Sequence, residues 1–500
     1  MITLSALLAA LPAELLAAPL PSDAAVLART VEVLSPDTRK LTGADSMFVC
    51  IKGAVFDGHT YALQAYTVGC RIFVAERVLD LPEDATVIRV RDSRAALALL
   101  SAAFYGYPAR ELTVIGITGT KGKTTTALLI HHMLEQNGIP AGYIGSNGVQ
   151  FCGHFYPTVN TTPESCELHA YLRRMVDAGV KYVALEVSSQ AIYLRRVYGM
   201  TFPITIFTNL SPDHIGGVEH PTFDHYRACK RALFTDYATG CAIANLDDPA
   251  AEDMVAGCPR VVGISVEKDA AISARDIALF RRGSRLGVEF VCRHGRDEAA
   301  FSLPLPGEFN VHNALSAIAV GLEAGLTLPQ IADAMAGIAI KGRFEAVDVL
   351  PDVTFLIDYA HNGVSLRAAL ETLRCYDPAR LICLFGSVGG RTQLRRPELG
   401  AVANELCDLA ILTADNPDFE APESVIADIA AAFTPDGCPY LVIPDRTDAI
   451  RAAVREARPG DIVLLAGKGH EDYQLIRGKK VPFDERAILH ACASHLRTRL

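Results

Sequence analysis

The segment that most constrains this chain is an apolar strand that passes through a glycine-rich turn directly into a helix: Val114-Ile115-Gly116-Ile117-Thr118-Gly119-Thr120-Lys121-Gly122-Lys123-Thr124-Thr125-Thr126. A backbone of that shape can close around a polyphosphate, because the glycines keep side chains off its concave face and the first amide N–H groups of the helix point into it. Lys123 adds a mobile positive charge, and the hydroxyl of Thr124 or Thr125 can ligate magnesium. Gly119, Thr120, Lys121, Gly122, Lys123, Thr124 and Thr125 are therefore the expected contacts to a nucleoside triphosphate. The pattern is a variant: Ile117 stands where the usual first glycine would be, and Gly119 lies inside the loop.

The 500 residues are too many for one core and suggest three domains at roughly 150 residues each. The breaker Tyr105-Gly106-Tyr107-Pro108 closes a first domain over residues 1–108, in which short strands such as Ser46-Met47-Phe48-Val49-Cys50-Ile51 and Arg71-Ile72-Phe73-Val74-Ala75 alternate with helical runs. The phosphate loop opens a second domain, residues 109–339. There, apolar runs at 182–185, 204–209 and 241–245 predict a mainly parallel sheet covered on both faces, finished by helices over 310–325 and 328–337. The pattern restarts over residues 340–500, with strands expected at 354–357, 381–385, 409–414, 440–443 and 462–466. That is a Rossmann-like unit without a Gly-x-Gly-x-x-Gly fingerprint. The expected fold class is thus α/β, three domains, with a central P-loop ATPase domain.

A net charge of −10 argues against broad binding to nucleic acid or anionic membrane. Thirteen cysteines scattered without any Cys-x-x-Cys imply a reduced, cytoplasmic chain. Residues 4–20 are apolar but lack a basic flank and contain Pro12 and Glu14, which reads as an amphipathic helix rather than a signal peptide or membrane span.

Strand Val183-Ala184-Leu185-Glu186-Val187 leads into Ser188-Ser189 and so brings a carboxylate to the carboxyl edge of the sheet, where ligands of open α/β sheets bind. A second edge, Thr208-Asn209-Leu210-Ser211-Pro212-Asp213-His214, brings an imidazole there. Glu186 and His214 are candidate magnesium ligands beside the loop threonines.

With these residues in hand, the chain resembles the Mur ligase family of ATP-dependent amide ligases over nearly its whole length. The markers are the phosphate loop, Glu186-Val187-Ser188-Ser189, Thr208-Asn209-Leu210 with Asp213-His214, Lys230 within Ala228-Cys229-Lys230-Arg231-Ala232-Leu233-Phe234, and Asn245-Leu246-Asp247-Asp248. Further on come Gly307-Glu308-Phe309-Asn310-Val311-His312-Asn313-Ala314, Gly342-Arg343-Phe344-Glu345 and Asp358-Tyr359-Ala360-His361-Asn362. Within the family it looks most like the member that adds a diamino acid to UDP-N-acetylmuramoyl-L-alanyl-D-glutamate in peptidoglycan synthesis.

The resemblance implies ATP and Mg2+ as cofactors, with metal contacts from Thr124, Thr125, Glu186, His214 and a carbamate on Lys230, and an acyl phosphate that the amine attacks. Lys123, Lys230, His214 and Glu186 are the implied catalytic residues. Asn310 and Asn313 are implied near the adenine, and Arg343 and Asp358 near the phosphates and ribose. Thr38, Asn160, Thr161, Thr162, Ser188 and Arg196 are implied on the nucleotide-peptide substrate. Arg396, Asp415, Asn416, Asp418, Gly467 and Glu471 are implied on the amino acid. The partners implied are the UDP-N-acetylmuramoyl dipeptide and a free diamino acid, handled by a monomer with no nucleic acid and no membrane span.

Two positions depart from the family pattern: Gln190 follows Val-Ser-Ser where histidine is common, and Asp418 follows Asn-Pro where enzymes taking meso-diaminopimelate carry arginine. An anion there repels a distal carboxylate and attracts a distal ammonium, which favours L-lysine, then L-ornithine, with Glu471 assisting the distal amine and Arg396 holding the α-carboxylate. Meso-diaminopimelate is the alternative, if Arg395 or Arg391 replaces the missing arginine. A folylpolyglutamate synthetase-like ligase would lack the domain ahead of the phosphate loop. A non-catalytic nucleotide-binding module would have no reason to keep Lys123, Glu186, His214 and Lys230 together.

Overall fold

A computed structural model describes residues 2–53, 56–213, 215–216, 219–390 and 393–497. His214 and Arg391, both expected at the site, lie outside the described residues. The chain divides into two compact units, residues 1–273 with 313–326, and residues 274–312 with 327–500. The first two expected domains therefore share one unit, and the stretch 274–312 belongs with the carboxyl-terminal one.

In the first unit a small all-parallel sheet, Val33–Ser35, Ser46–Val49, Ile72–Ala75 and Thr86–Arg89, follows chain order. It packs its apolar residues with the buried face of helix Ser93–Phe104. The helix expected over residues 4–20 is not continuous. It stops at Leu8 and resumes as a short 3-10 turn, Ala13–Leu15, because Pro12 cannot donate to the helical ladder and holds an extended backbone.

The larger sheet of this unit places the phosphate-loop strand Thr113–Thr118 between Tyr182–Glu186 and Phe202–Phe207, all parallel. These strands are nearly continuous apolar runs because helices cover both faces. Each fully buried Leu, Ile or Phe among them contributes about 2 kcal/mol of burial. Register sets the site: Glu186 pairs with Ile117 and Phe207 with Thr118, so all three strands end at one edge.

In the second unit, Thr354–Asp358, Ile462–Ala466, Leu381–Phe385, Leu409–Leu412 and Tyr440–Val442 form a parallel sheet in that spatial order, edged by antiparallel Glu345–Val347. An antiparallel pair, Arg285–His294 with Asp297–Leu303, was not expected from the sequence. Among the described residues no helix is long and apolar enough to cross a membrane.

Candidate active site

The phosphate loop is shaped by two glycines. Gly119 takes φ +149°, and a Cβ there would lie 1.9 Å from the Thr208 hydroxyl; Gly122 takes φ +85° as the residue that starts helix Lys123–Gln136. The neighbouring strand end braces the loop. Lys121 N donates to the Asn209 side chain at 2.9 Å, the Thr208 hydroxyl donates to Lys121 O at 2.7 Å, and the Thr120 hydroxyl bonds Ser211 O at 3.0 Å. Thr126 at the next turn donates to the Asn313 side chain at 3.2 Å. Lys121 itself reaches outward to Asp213.

Glu186 is fully buried at the end of its strand and is surrounded by donors. Its carboxylate accepts from the Thr124 hydroxyl at 3.0 Å, the Tyr143 hydroxyl at 2.7 Å and the Ser146 amide at 3.0 Å. The structure thus joins Thr124, of the two loop threonines considered, to Glu186. Tyr143 and Ser146 were missed in the sequence; a tyrosine within strand Ala141–Gly145 and a serine just after it carry no signal by themselves. A hydroxyl and a carboxylate held together in a buried pocket are a hard-oxygen pair that suits Mg2+.

Lys230 is buried on helix Phe223–Ala232, with its ammonium nitrogen 2.7 Å from Gly119 O and 4.5 Å from the centre of the Tyr226 ring. Lys123 donates to the same carbonyl at 2.7 Å and to Thr120 O at 3.0 Å. Burial, reinforced by the charge of Lys123, pushes the Lys230 amine well below the ordinary lysine range.

The expected substrate loop is tied to this edge. The Thr162 hydroxyl donates to Glu186 O at 2.7 Å, and the Thr161 and Ser146 hydroxyls are 2.9 Å apart. Arg196, almost wholly buried, donates to Glu164 at 2.8 Å and to Thr162 O at 3.1 Å. Ser188 caps the short helix Ser189–Tyr193 by accepting from Ala191 N. Gln190 lies inside that helix. Asn160 lies in the same loop, and Thr38 lies in a 3-10 turn capped by Asp37, whose carboxylate is paired with Arg39.

In the second unit Asp358 is buried and accepts from Phe344 N at 2.9 Å and Ala360 N at 2.8 Å; burial pushes its carboxyl up. Arg343 stacks 5.4 Å over Tyr359, with its Nε buried and without a hydrogen-bond partner among the described residues. The Asn310 amide donates to Pro306 O. Around the expected amino-acid loop, Lys468 is fully buried and pairs with Asp415 at 3.3 Å and Glu471 at 3.1 Å, while also donating to Asn416 at 3.1 Å. Gly467 lies against the Asp415 carboxylate. Lys468 was missed in the sequence; a lysine between Gly467 and Gly469 was the available signal.

Two expectations about this loop are corrected. Arg396 does not present its guanidinium as a clamp for an α-carboxylate: it is fully buried, and its terminal nitrogens are engaged by Glu420, Asp428 and Val388 O. Asp418 does not stand as a bare anion: it sits at φ +53° and its carboxylate accepts the Gly478 amide at 2.6 Å, joining the loop to the hairpin Tyr473–Ile476 and Lys479–Pro482.

Compared with known proteins, residues 117–321 match the Mur ligase middle domain and residues 342–469 the Mur ligase glutamate ligase domain. A UDP-N-acetylmuramoyl-L-alanyl-D-glutamate–2,6-diaminopimelate ligase of Clostridium perfringens is 37% identical over 468 residues, covering 92% of this chain and 94% of that protein. The ligases of the same name from Geobacillus thermodenitrificans and Chlorobaculum tepidum are 38% and 39% identical, covering 93% and 92% of this chain and 96% and 92% of those proteins. A solved structure of a ligase so named is similar with a TM-score of 0.70 at 26% identity, over 99% of both chains. The fold is also shared with the MurF ligase of Thermotoga maritima in complex with ADP, at a TM-score of 0.60 and 16% identity, over 94% of this chain and 98% of that one.

Proposed function

Because the chain belongs to the Mur ligase family of ATP-dependent, ADP-forming amide ligases, we propose that it joins 2,6-diaminopimelate to UDP-N-acetylmuramoyl-L-alanyl-D-glutamate, in the cytoplasm. The observation that carries this reading is the convergence of Lys123, Thr124, Glu186 and Lys230 on one phosphate loop, in a chain whose relatives of that name match it over more than nine-tenths of its length.

A carboxylate resists attack by an amine because it is anionic and its oxygen leaves poorly, so the γ-phosphoryl of ATP is first moved to it. The loop amides and Lys123 neutralise the transferring group, and preorganised charge of this kind is the main source of rate in phosphoryl transfer. Thr124, Glu186, His214 and a carbamate on Lys230 are the set that would hold Mg2+, which when bound offsets negative charge on the phosphates. A carbamate forms only from a neutral amine, and the burial that depresses Lys230 favours that form. Arg196 and Thr162 hold the loop that would position the peptide carboxylate. Asn313 borders the phosphate loop, and Arg343 and Asp358 are the implied partners of the nucleotide in the second unit.

L-lysine, expected from the charge of Asp418, is the weaker choice: the relatives are named for diaminopimelate, and the Asp418 carboxylate is taken up by the Gly478 amide. The test is ADP release with the UDP-muramoyl dipeptide and each of meso-diaminopimelate, L-lysine and L-ornithine. Meso-diaminopimelate is expected to give the highest kcat/KM, and Asp418→Asn, which keeps the turn acceptor and removes the charge, to leave that order intact. A preference for lysine that Asp418→Asn weakens would return the specificity to Asp418.

A further inference from the structure

His225 and Cys229 lie one helical turn apart on Phe223–Ala232, the helix that carries Lys230, and His220 precedes that helix. Among the described residues, these three offer ligand atoms that all lie within 4.8 Å of one another. We propose that they form a binding site for a borderline-soft divalent cation, Zn2+ by preference, separate from the oxygen ligands expected to serve Mg2+.

The geometry is close to what such an ion requires. His220 Nδ1 and His225 Nδ1 are 2.8 Å apart, and Cys229 Sγ is 3.9 Å from His225 Nδ1. Two nitrogens on a tetrahedral Zn2+ at ~2.0–2.1 Å stand about 3.4 Å apart, and a nitrogen and a sulfur about 3.6 Å, so the two separations that involve His225 need to change by about 0.6 and 0.3 Å, and the one between His220 and Cys229, within 4.8 Å, by about 1.2 Å at most. The helix fixes two ligands on one face at the i, i+4 spacing, and Thr222, which caps it by accepting from His225 N, fixes its start. The remaining nitrogen of His220 already has an outer partner: Nε2 is 2.8 Å from the Ser189 hydroxyl. With Nε2 carrying the proton and donating to that hydroxyl, Nδ1 presents its lone pair to the ion. Tyr193 packs edge-on against His225, shielding that imidazole from one side.

Protons balance simply. Both imidazoles bind as neutral bases through Nδ1, with their protons on Nε2. The Cys229 thiol gives up its proton to solvent as the Zn–S bond forms. A fourth position is left for water. Two imidazoles and one thiolate suit zinc far better than the hard cation of the nucleotide, so the two ions do not compete for one set of ligands.

The full-length protein, in saturating Mg2+, is titrated with Zn2+ by equilibrium dialysis and with Co2+ by absorption. One tight equivalent is expected, with visible bands of tetrahedral Co2+ and a near-ultraviolet thiolate-to-cobalt band. Cys229→Ser is expected to abolish the thiolate band, and His225→Ala to remove the tight equivalent. Ser189→Ala, which removes only the outer partner, is expected to weaken binding about tenfold or more. Circular dichroism of each variant checks that it is folded. Absence of tight Zn2+ uptake by the parent protein overturns the proposal, as does uptake with an unchanged cobalt spectrum in folded Cys229→Ser or His225→Ala.

Discussion

At the scale of single residues, Lys230 carries the sharpest consequence. Its amine is depressed by burial and by Lys123, so it loses its proton well below the ordinary lysine value of 10.5. The neutral amine needed for a carbamate therefore persists as pH falls until that lowered value is reached, and ligation at fixed dissolved CO2 is expected to fall only below it. Lys230→Ala is expected to be inactive and partly rescued by small carboxylates, which restore an anion without the side chain. Full activity of the alanine variant, measured as ADP release, would remove the carbamate from the reaction. Glu186 was legible from its place at a strand end, whereas Lys230 was reached only through the resemblance to the family. The sequence did not disclose Tyr143 or Ser146, which reach Glu186 across some forty residues, nor the Glu420 and Asp428 carboxylates that hold Arg396. Those contacts exist only once strands are laid side by side.

At the scale of elements, parallel strands were legible because burial on both faces makes them unbroken apolar runs. Strands Leu381–Phe385 and Ile462–Ala466 stand where the residue pattern placed them. The antiparallel strands Arg285–His294 and Asp297–Leu303 were not legible, since half-buried strands with Arg285, Glu289 and Glu298 dilute the apolar signal. The loop over 160–164 has no regular structure of its own and depends on Arg196. Removing a buried guanidinium that bonds both Glu164 and Thr162 O costs about 2 kcal/mol. Arg196→Ala is accordingly expected to raise KM for the UDP-muramoyl dipeptide about tenfold while leaving KM for ATP within about twofold. Steady-state kinetics with each substrate varied in turn decides it; a rise confined to ATP would detach this loop from the peptide substrate.

At the scale of the whole molecule, acid stability rests partly on His169. It is buried on helix Ser165–Asp177, neither ring nitrogen has a hydrogen-bond partner among the described residues, and burial pushes its pKa down to about 4. The unfolded chain takes up this proton near 6.5 and the folded chain only near 4. Stability is therefore full above about pH 6.5 and is lost progressively as pH falls towards 4, by about 3 kcal/mol for this group. His169→Leu is expected to flatten that part of the pH profile and to raise the urea midpoint at pH 5 more than at pH 7.5. Equal shifts at both pH values would mean that the protonation of His169 does not contribute.

The carbonyl of Gly119 receives the side-chain nitrogens of both Lys123 and Lys230, each at 2.7 Å. The loop thus gathers its cationic groups on its own backbone, like a clasp closed upon itself. An anion entering there exchanges one oxygen for another around Lys123 instead of meeting a bare charge, so the loop responds weakly to dilute monovalent anions and strongly to a polyphosphate whose charge is dense enough to draw the lysine away. The same carbonyl that holds Lys123 within reach of an entering anion also seats the buried amine of Lys230.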